Sequence, residues 1–238
     1  MKPDRFFYVA AGAIFLVLIV LGFQQYIFHG KHSDGSPISP LMLAIVVAHS
    51  SAIFAWFVGF LVQALLISTH NRRLHMTLGW GVVGIAALIV VTGPLVAYRS
   101  IRVAPEQVIF DWPGPQFLLV MFTEIALFAA FVTLGVVNRK RPRIHRPMML
   151  MASLAILSGA TARIALVWSI FGVHHWMAIF GPVVTLGVLL LVVRAAMTRS
   201  FDRQFAMGLA VFAMVTLIAG RLAVTNMWVD WAGMILKR

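Results

Sequence analysis

Apolar residues run in seven blocks along the chain, at 6–28, 41–69, 75–98, 116–137, 147–171, 175–193 and 205–224, with the polar residues gathered in the short segments between them. A helix needs roughly 20 apolar residues to cross the ~30 Å hydrocarbon core of a bilayer, and each block is about that long. Backbone N–H and C=O groups cannot go unpaired in lipid, so the blocks predict helices. Proline punctuates the boundaries. Pro37 and Pro40 precede the second block and Pro113 and Pro115 the fourth. Pro147 falls in the first turn of the fifth, where its missing N–H has no intrahelical partner to lose. The pattern predicts an all-α, polytopic transmembrane bundle of about seven helices, one domain over 1–238.

Composition sharpens this. The chain is 61% hydrophobic and 11% charged, with a mean hydropathy of +0.95, outside the range of ordinary soluble domains. A net charge of +12 would suggest nucleic acid as a partner of a soluble protein. Here the basic residues flank helices instead of forming one patch interleaved with aromatics, which argues against nucleic acid and makes the lipid bilayer the partner. The charge reads as topology. With the N-terminus inside, twelve Lys and Arg fall in inner segments and five in outer ones, while Arg163 and Arg221 lie within blocks, accounting for all nineteen. The positive-inside rule then favours N-in, C-out. The first block is longer than the ~7–15 residues of a signal-peptide core and no A-x-A-like site follows it, so it reads as a span. The absence of cysteine removes disulfides, thiolate metal ligands, iron–sulfur clusters and covalent c-type haem attachment.

An internal echo stands out. Arg73-Leu74-His75 and Arg143-Ile144-His145 lie 70 residues apart and each opens an apolar block. This points to a two-helix repeat, 41–98 and 116–171. The longest loop, 99–115, is expected to fold over the outer rim, and the tail 225–238, with Trp228 and Trp231, to lie at the interface.

Ionisable residues inside a span cost several kcal/mol and are functional candidates by default. His49, Glu124 and Arg163 each lie eight residues in from the outer end of a block. At 1.5 Å per residue that is a depth of ~12 Å, with Arg221 shallower at ~5 Å. These four form the first candidate site, an outer-leaflet polar cluster. A structural ion pair between Glu124 and Arg163 is the plain alternative. His49, Trp56, Gln63 and His70 recur every seven residues along one face of the second helix, and a continuous fifth helix would put His145 and Arg163 on one side.

The second candidate site is at the inner mouth. His70, His75 and His145 meet there by topology and suit a metal ion, while two histidines on facing helices suit haem b. On the outer side His174 and His175 begin the sixth helix, where one of them would join His49 in a cofactor set. His29, His32 and Asp34 form a weaker H-x-x-H-x-D pattern in the first outer loop. Met148, Met149 and Met151 beside His145 invite a copper(I) reading, against the commoner role of methionine as filler in an apolar bundle. No phosphate-binding, dinucleotide, nucleophile-elbow or zinc-protease motif is present, and no lysine lies mid-span in the last block for a retinal Schiff base.

The segments His75-Met76-Thr77-Leu78-Gly79-Trp80 and His145-Arg146-Pro147-Met148-Met149-Leu150 resemble the H-x-x-L-G-W and H-[KR]-x-M-x-L helix entries of a family of uncharacterised bacterial seven-helix inner-membrane proteins. Met76 departs from the basic residue expected after the first histidine. The resemblance implies fold and a multi-pass place in the bacterial inner membrane, without an activity. A fainter similarity is to b-type transmembrane cytochromes. Three functions follow as expectations. One is a haem- or metal-binding redox protein using His49, His75, His145, His174 and His175. Another is a transporter, channel or sensor of a small solute or proton at the outer cluster. The last is a structural or assembly subunit of a membrane complex, or a homo-oligomer.

Overall fold

The computed structural model describes residues 3–31, 35–172 and 174–237. The chain is all-α apart from a two-residue hairpin. In order come α1 (Pro3–Gly22), α2 (Gln24–His29), α3 (Pro40–Ser68), α4 (Arg72–Val103), β1 (Val108–Ile109), β2 (Trp112–Pro113), α5 (Gly114–Val137), α6 (Pro142–Ala155), α7 (Ser158–Thr161), α8 (Ala165–Phe171), α9 (His175–Thr198), α10 (Arg203–Ala223) and α11 (Asn226–Lys237). Among the described residues five helices, α3, α4, α5, α9 and α10, are long and apolar enough to cross a membrane. The count is six if α6–α7 and α8 are one span broken by a 94° bend. The fold is that of a multi-pass membrane protein.

Two expected spans are interrupted. The first ends at Gly22, turns at Phe23 and resumes as the short α2, leaving an apolar helix of Phe6–Gly22. The fifth stops at Ala155, makes the single turn α7, passes through Ala162–Ile164 and leaves at 94° as α8. Ser158, Gly159 and Thr161 are weak helix formers, and Ile164 is extended (φ −82°, ψ 116°), so the chain cannot carry the helix through. His145 and Arg163 therefore do not share one helical face.

The two ends of the bundle differ. At one end, the basic end, lie the turns α3–α4, α5–α6 and α9–α10, capped by Asn71 on the Leu74 N–H and by Asp202 on the Phe205 N–H. Asp202 also pairs with Arg194 across the α9–α10 turn. At the other, the hairpin end, the 99–115 loop does fold over the rim: β1 pairs antiparallel with β2, and α11 packs against α5 with the Trp228 indole donating to the Pro115 carbonyl at 2.9 Å.

The core is aromatic. Trp56, Phe57, Phe15, Phe128, Phe180, Phe205 and Phe212 are fully buried, while Leu41, Val91, Trp80 and Leu166 stand exposed, as expected where lipid is the solvent. Trp56 stacks edge-on against Phe128 (4.9 Å) and donates its indole N–H to Ser153 at 3.1 Å. Ser153 is wholly buried, so Ser153→Ala strands that N–H in an apolar layer. The expected cost is about 1–3 kcal/mol, read as a lowered unfolding temperature in detergent.

Candidate functional site

Below the hairpin lies a cavity of about 950 Å³. Its walls are the end of α1, α2, the first half of α3, the second half of α4, the first half of α5 and the α6–α7 break, with Ile109 and Phe110 of the hairpin as its roof. Most of the wall is apolar, from Ile19, Met42, Ile53, Val96, Phe117 and Met121, and His49, Glu124 and Arg163 are its ionisable groups apart from Lys31 and Tyr26.

His49 lies ~14 Å along α3 from Pro40, at nine residues of 1.5 Å. Its Nδ1 is 2.9 Å from the Thr92 hydroxyl on α4. That hydroxyl has one hydrogen, which it donates to the Leu88 carbonyl at 2.7 Å. Thr92 must therefore accept from His49, so His49 carries its proton on Nδ1 and its Nε2 is a bare acceptor. Gly93 lets the ring lie against α4: a Cβ there would stand 3.3 Å from His49 Cε1 and 2.6 Å from Ile125 Cδ1.

Glu124, ~15 Å along α5 from Gly114, accepts a hydrogen bond from the Ser158 hydroxyl in α7. Arg163 occupies the break. It donates to the Gly159 carbonyl, and its guanidinium lies between two rings, 4.9 Å from the Phe23 centroid and 5.2 Å from that of Phe110. Irregular backbone is tolerated at membrane depth where such partners re-satisfy it or where it lines a cavity. The Arg163 and Glu124 charges act on each other, but among the described residues the direct partner of Glu124 is Ser158 and that of Arg163 the Gly159 carbonyl. Two opposite charges and one neutral acceptor thus share a single space.

Of the four residues expected together, three converge and Arg221 does not. It is exposed in the last turn of α10 and takes no part in the cavity. His174 and His175 also stay away from His49: His174 precedes α9 and the His175 ring packs on Trp112 at 5.2 Å. His29 ends α2 in an exposed position, and His32 and Asp34 lie outside the described residues.

At the basic end His75 and His145 do meet, ring centroids 6.4 Å apart and nearly perpendicular. His70 sits in the α3–α4 turn with φ +66°, and among the described residues no three His, Asp or Glu side chains gather to hold a metal ion. Each of the paired histidines is tied to the helix before its own. His145 Nδ1 donates to the Gly135 carbonyl at 2.8 Å, leaving Nε2 bare. Gln63 of α3 satisfies both ends of its amide when its oxygen accepts from the Gly79 N–H (3.2 Å) and its nitrogen donates to the His75 carbonyl (3.0 Å). The same amide nitrogen then lies at hydrogen-bond distance from His75 Nδ1. Haem ligation needs a bare Nε2 with Nδ1 donating outward. His145 fits that requirement.

Phe23 and Phe110 line the cavity, and Thr92 and Ser158 hold its His49 and Glu124, without having been singled out from the sequence. The Ser158-Gly159 pair inside an apolar block is the signal that would have marked the break. No protein-family model, no curated protein and no solved structure matches this chain.

Proposed function

We propose that this chain is a seven-span protein of the bacterial inner membrane, N-terminus inside, that takes up a small solute from the outer side in the hairpin-end cavity, as a carrier or sensor. The observation that carries this reading is the convergence of His49, Glu124 and Arg163, from α3, α5 and the α6–α8 break, in one space of about 950 Å³. Pockets of this size bind drug-sized molecules by apolar walls and a few placed polar groups.

The chemistry of the wall narrows the solute. Glu124 and Arg163 cancel in charge, so a neutral ligand enters without a net electrostatic penalty. The bare Nε2 of His49 asks for a hydrogen-bond donor, and the apolar walls ask for an apolar body. Toward the basic end Trp56, Phe57 and Phe128 are fully buried and fill the bundle, so access is one-sided, as in a carrier held in one state or a sensor, and not that of an open pore. Haem ligation by His75 and His145 is a second reading, favoured by the meeting of their rings at the basic end.

The test is a thermal-unfolding screen of the detergent-purified protein against neutral, hydroxyl-bearing amphipaths. Compounds that bind raise the unfolding temperature of the natural chain, by RT ln(1 + [L]/Kd) in free energy, and lose most of that effect in His49→Ala and Glu124→Gln. Hits whose shift is the same in both variants would show that binding lies elsewhere.

A further inference from the structure

The turns α3–α4 and α5–α6 lie side by side at the basic end. His75 faces His145 at 6.4 Å, and the Arg139 guanidinium, from the second turn, lies 5.7 Å from the Trp80 ring of α4. Residues 70–75 and 138–146 carry two and five Lys or Arg and no Asp or Glu. Asp202 of the α9–α10 turn is engaged by Arg194 and by the cap of α10, and Asp4 lies in the first turn of α1 at this end. Glu106, Asp111, Glu124 and Asp230 belong to the other half of the molecule. Like charges gathered this closely repel one another, and α4 and α6 both begin here, adding the partial positive charge of two helix N-termini. Within the cluster the charges of Arg72 and Arg146 act on His75, and that of Arg146 on His145. The Gln63 side-chain amide lies against the His75 ring.

We propose that this surface binds the phosphate groups of an anionic phospholipid, held between the two turns by His75, His145, Arg72 and Arg146. Lipid is the source because the cluster sits where membrane-spanning helices begin, at the level of the headgroups, and basic pockets between helices at that level select anionic lipids. The guanidiniums and the imidazole N–H groups supply donors to phosphate oxygens. The assignment stands apart from the cavity and from whatever binds in it.

The protein in neutral detergent is titrated with diphosphatidylglycerol, with phosphatidylethanolamine and with inorganic phosphate, reading the unfolding temperature. Diphosphatidylglycerol is expected to stabilise at the lowest concentration, less so as salt is raised. Its apparent affinity is expected to fall about fivefold in Arg72→Gln and again in Arg146→Gln, the weight of about one surface charge each, and to stay unchanged in Arg221→Gln at the far end. Arg72 is exposed in the first turn of α4, so its variant reads the site even if Arg146→Gln folds poorly. Equal stabilisation by phosphatidylethanolamine, or an Arg72→Gln protein that binds as tightly as the natural chain, would overturn the proposal. Inorganic phosphate matching the lipid would overturn the lipid assignment.

Discussion

Gly22→Ala is expected to lower the stability of the folded protein by about 3 kcal/mol, the upper part of the usual overpacking range. Gly22 closes α1 where it meets α7, and a Cβ there would stand 2.7 Å from Ala160 Cα and closer still to the Ala160 carbonyl oxygen. Both sides of this contact are backbone, so no side-chain rotamer can relieve it. Either α1 or α7 must move, and α7 carries Ser158, the partner of Glu124. The variant should therefore unfold at lower temperature in detergent and lose ligand-induced stabilisation together. Gly81→Ala, where a Cβ meets open space, is the matched control and should change neither by much.

Arg163→Met is expected to cost about 3 kcal/mol, the upper part of the range for leaving buried polar groups without their partner. Part of the loss is electrostatic, since Glu124 is left uncompensated. The remainder is local: the Gly159 carbonyl loses its donor, and Phe23 and Phe110 lose the guanidinium between them. Adding Glu124→Gln should recover the first part and leave the second. The double variant is then more stable than Arg163→Met alone yet less stable than the natural chain, with a coupling of about 1–3 kcal/mol in a double-mutant cycle. Additive losses would mean that the two charges do not feel each other. Full recovery would mean that the break stands without its arginine.

The long spans are legible because bilayer thickness and backbone satisfaction leave little choice. The blocks 41–69, 116–137 and 205–224 lie within two residues of α3, α5 and α10 at each end. What hydropathy does not read is continuity. The blocks 6–28 and 147–171 are apolar throughout, yet the first turns at Phe23 and the second breaks around Ser158-Gly159, where local propensity and an arginine partner override the average. That break also decides the site. Arg163 reaches the cavity because the helix ends before it, not because of its depth along a continuous helix. His49 and Glu124 were visible as residues expensive to place in lipid. Thr92 and Ser158 were not, since hydroxyl side chains in a span ordinarily bond to their own backbone, as Thr123 does to Leu119. Arg221 shows the converse: near a helix end, a long cationic side chain escapes to the surface and needs no site.

The absence of cysteine makes the decisive measurement direct, because a single introduced thiol reports alone. Ser50 lines the cavity beside His49, and Ser200 is exposed in the α9–α10 turn at the basic end. A membrane-impermeant thiol reagent applied to intact cells should modify Ser50→Cys and leave Ser200→Cys untouched, and a neutral amphipath that stabilises the natural chain should slow the modification. Modification of Ser200→Cys instead, or of Ser50→Cys at a rate no ligand changes, would contradict an outward-facing, ligand-binding cavity.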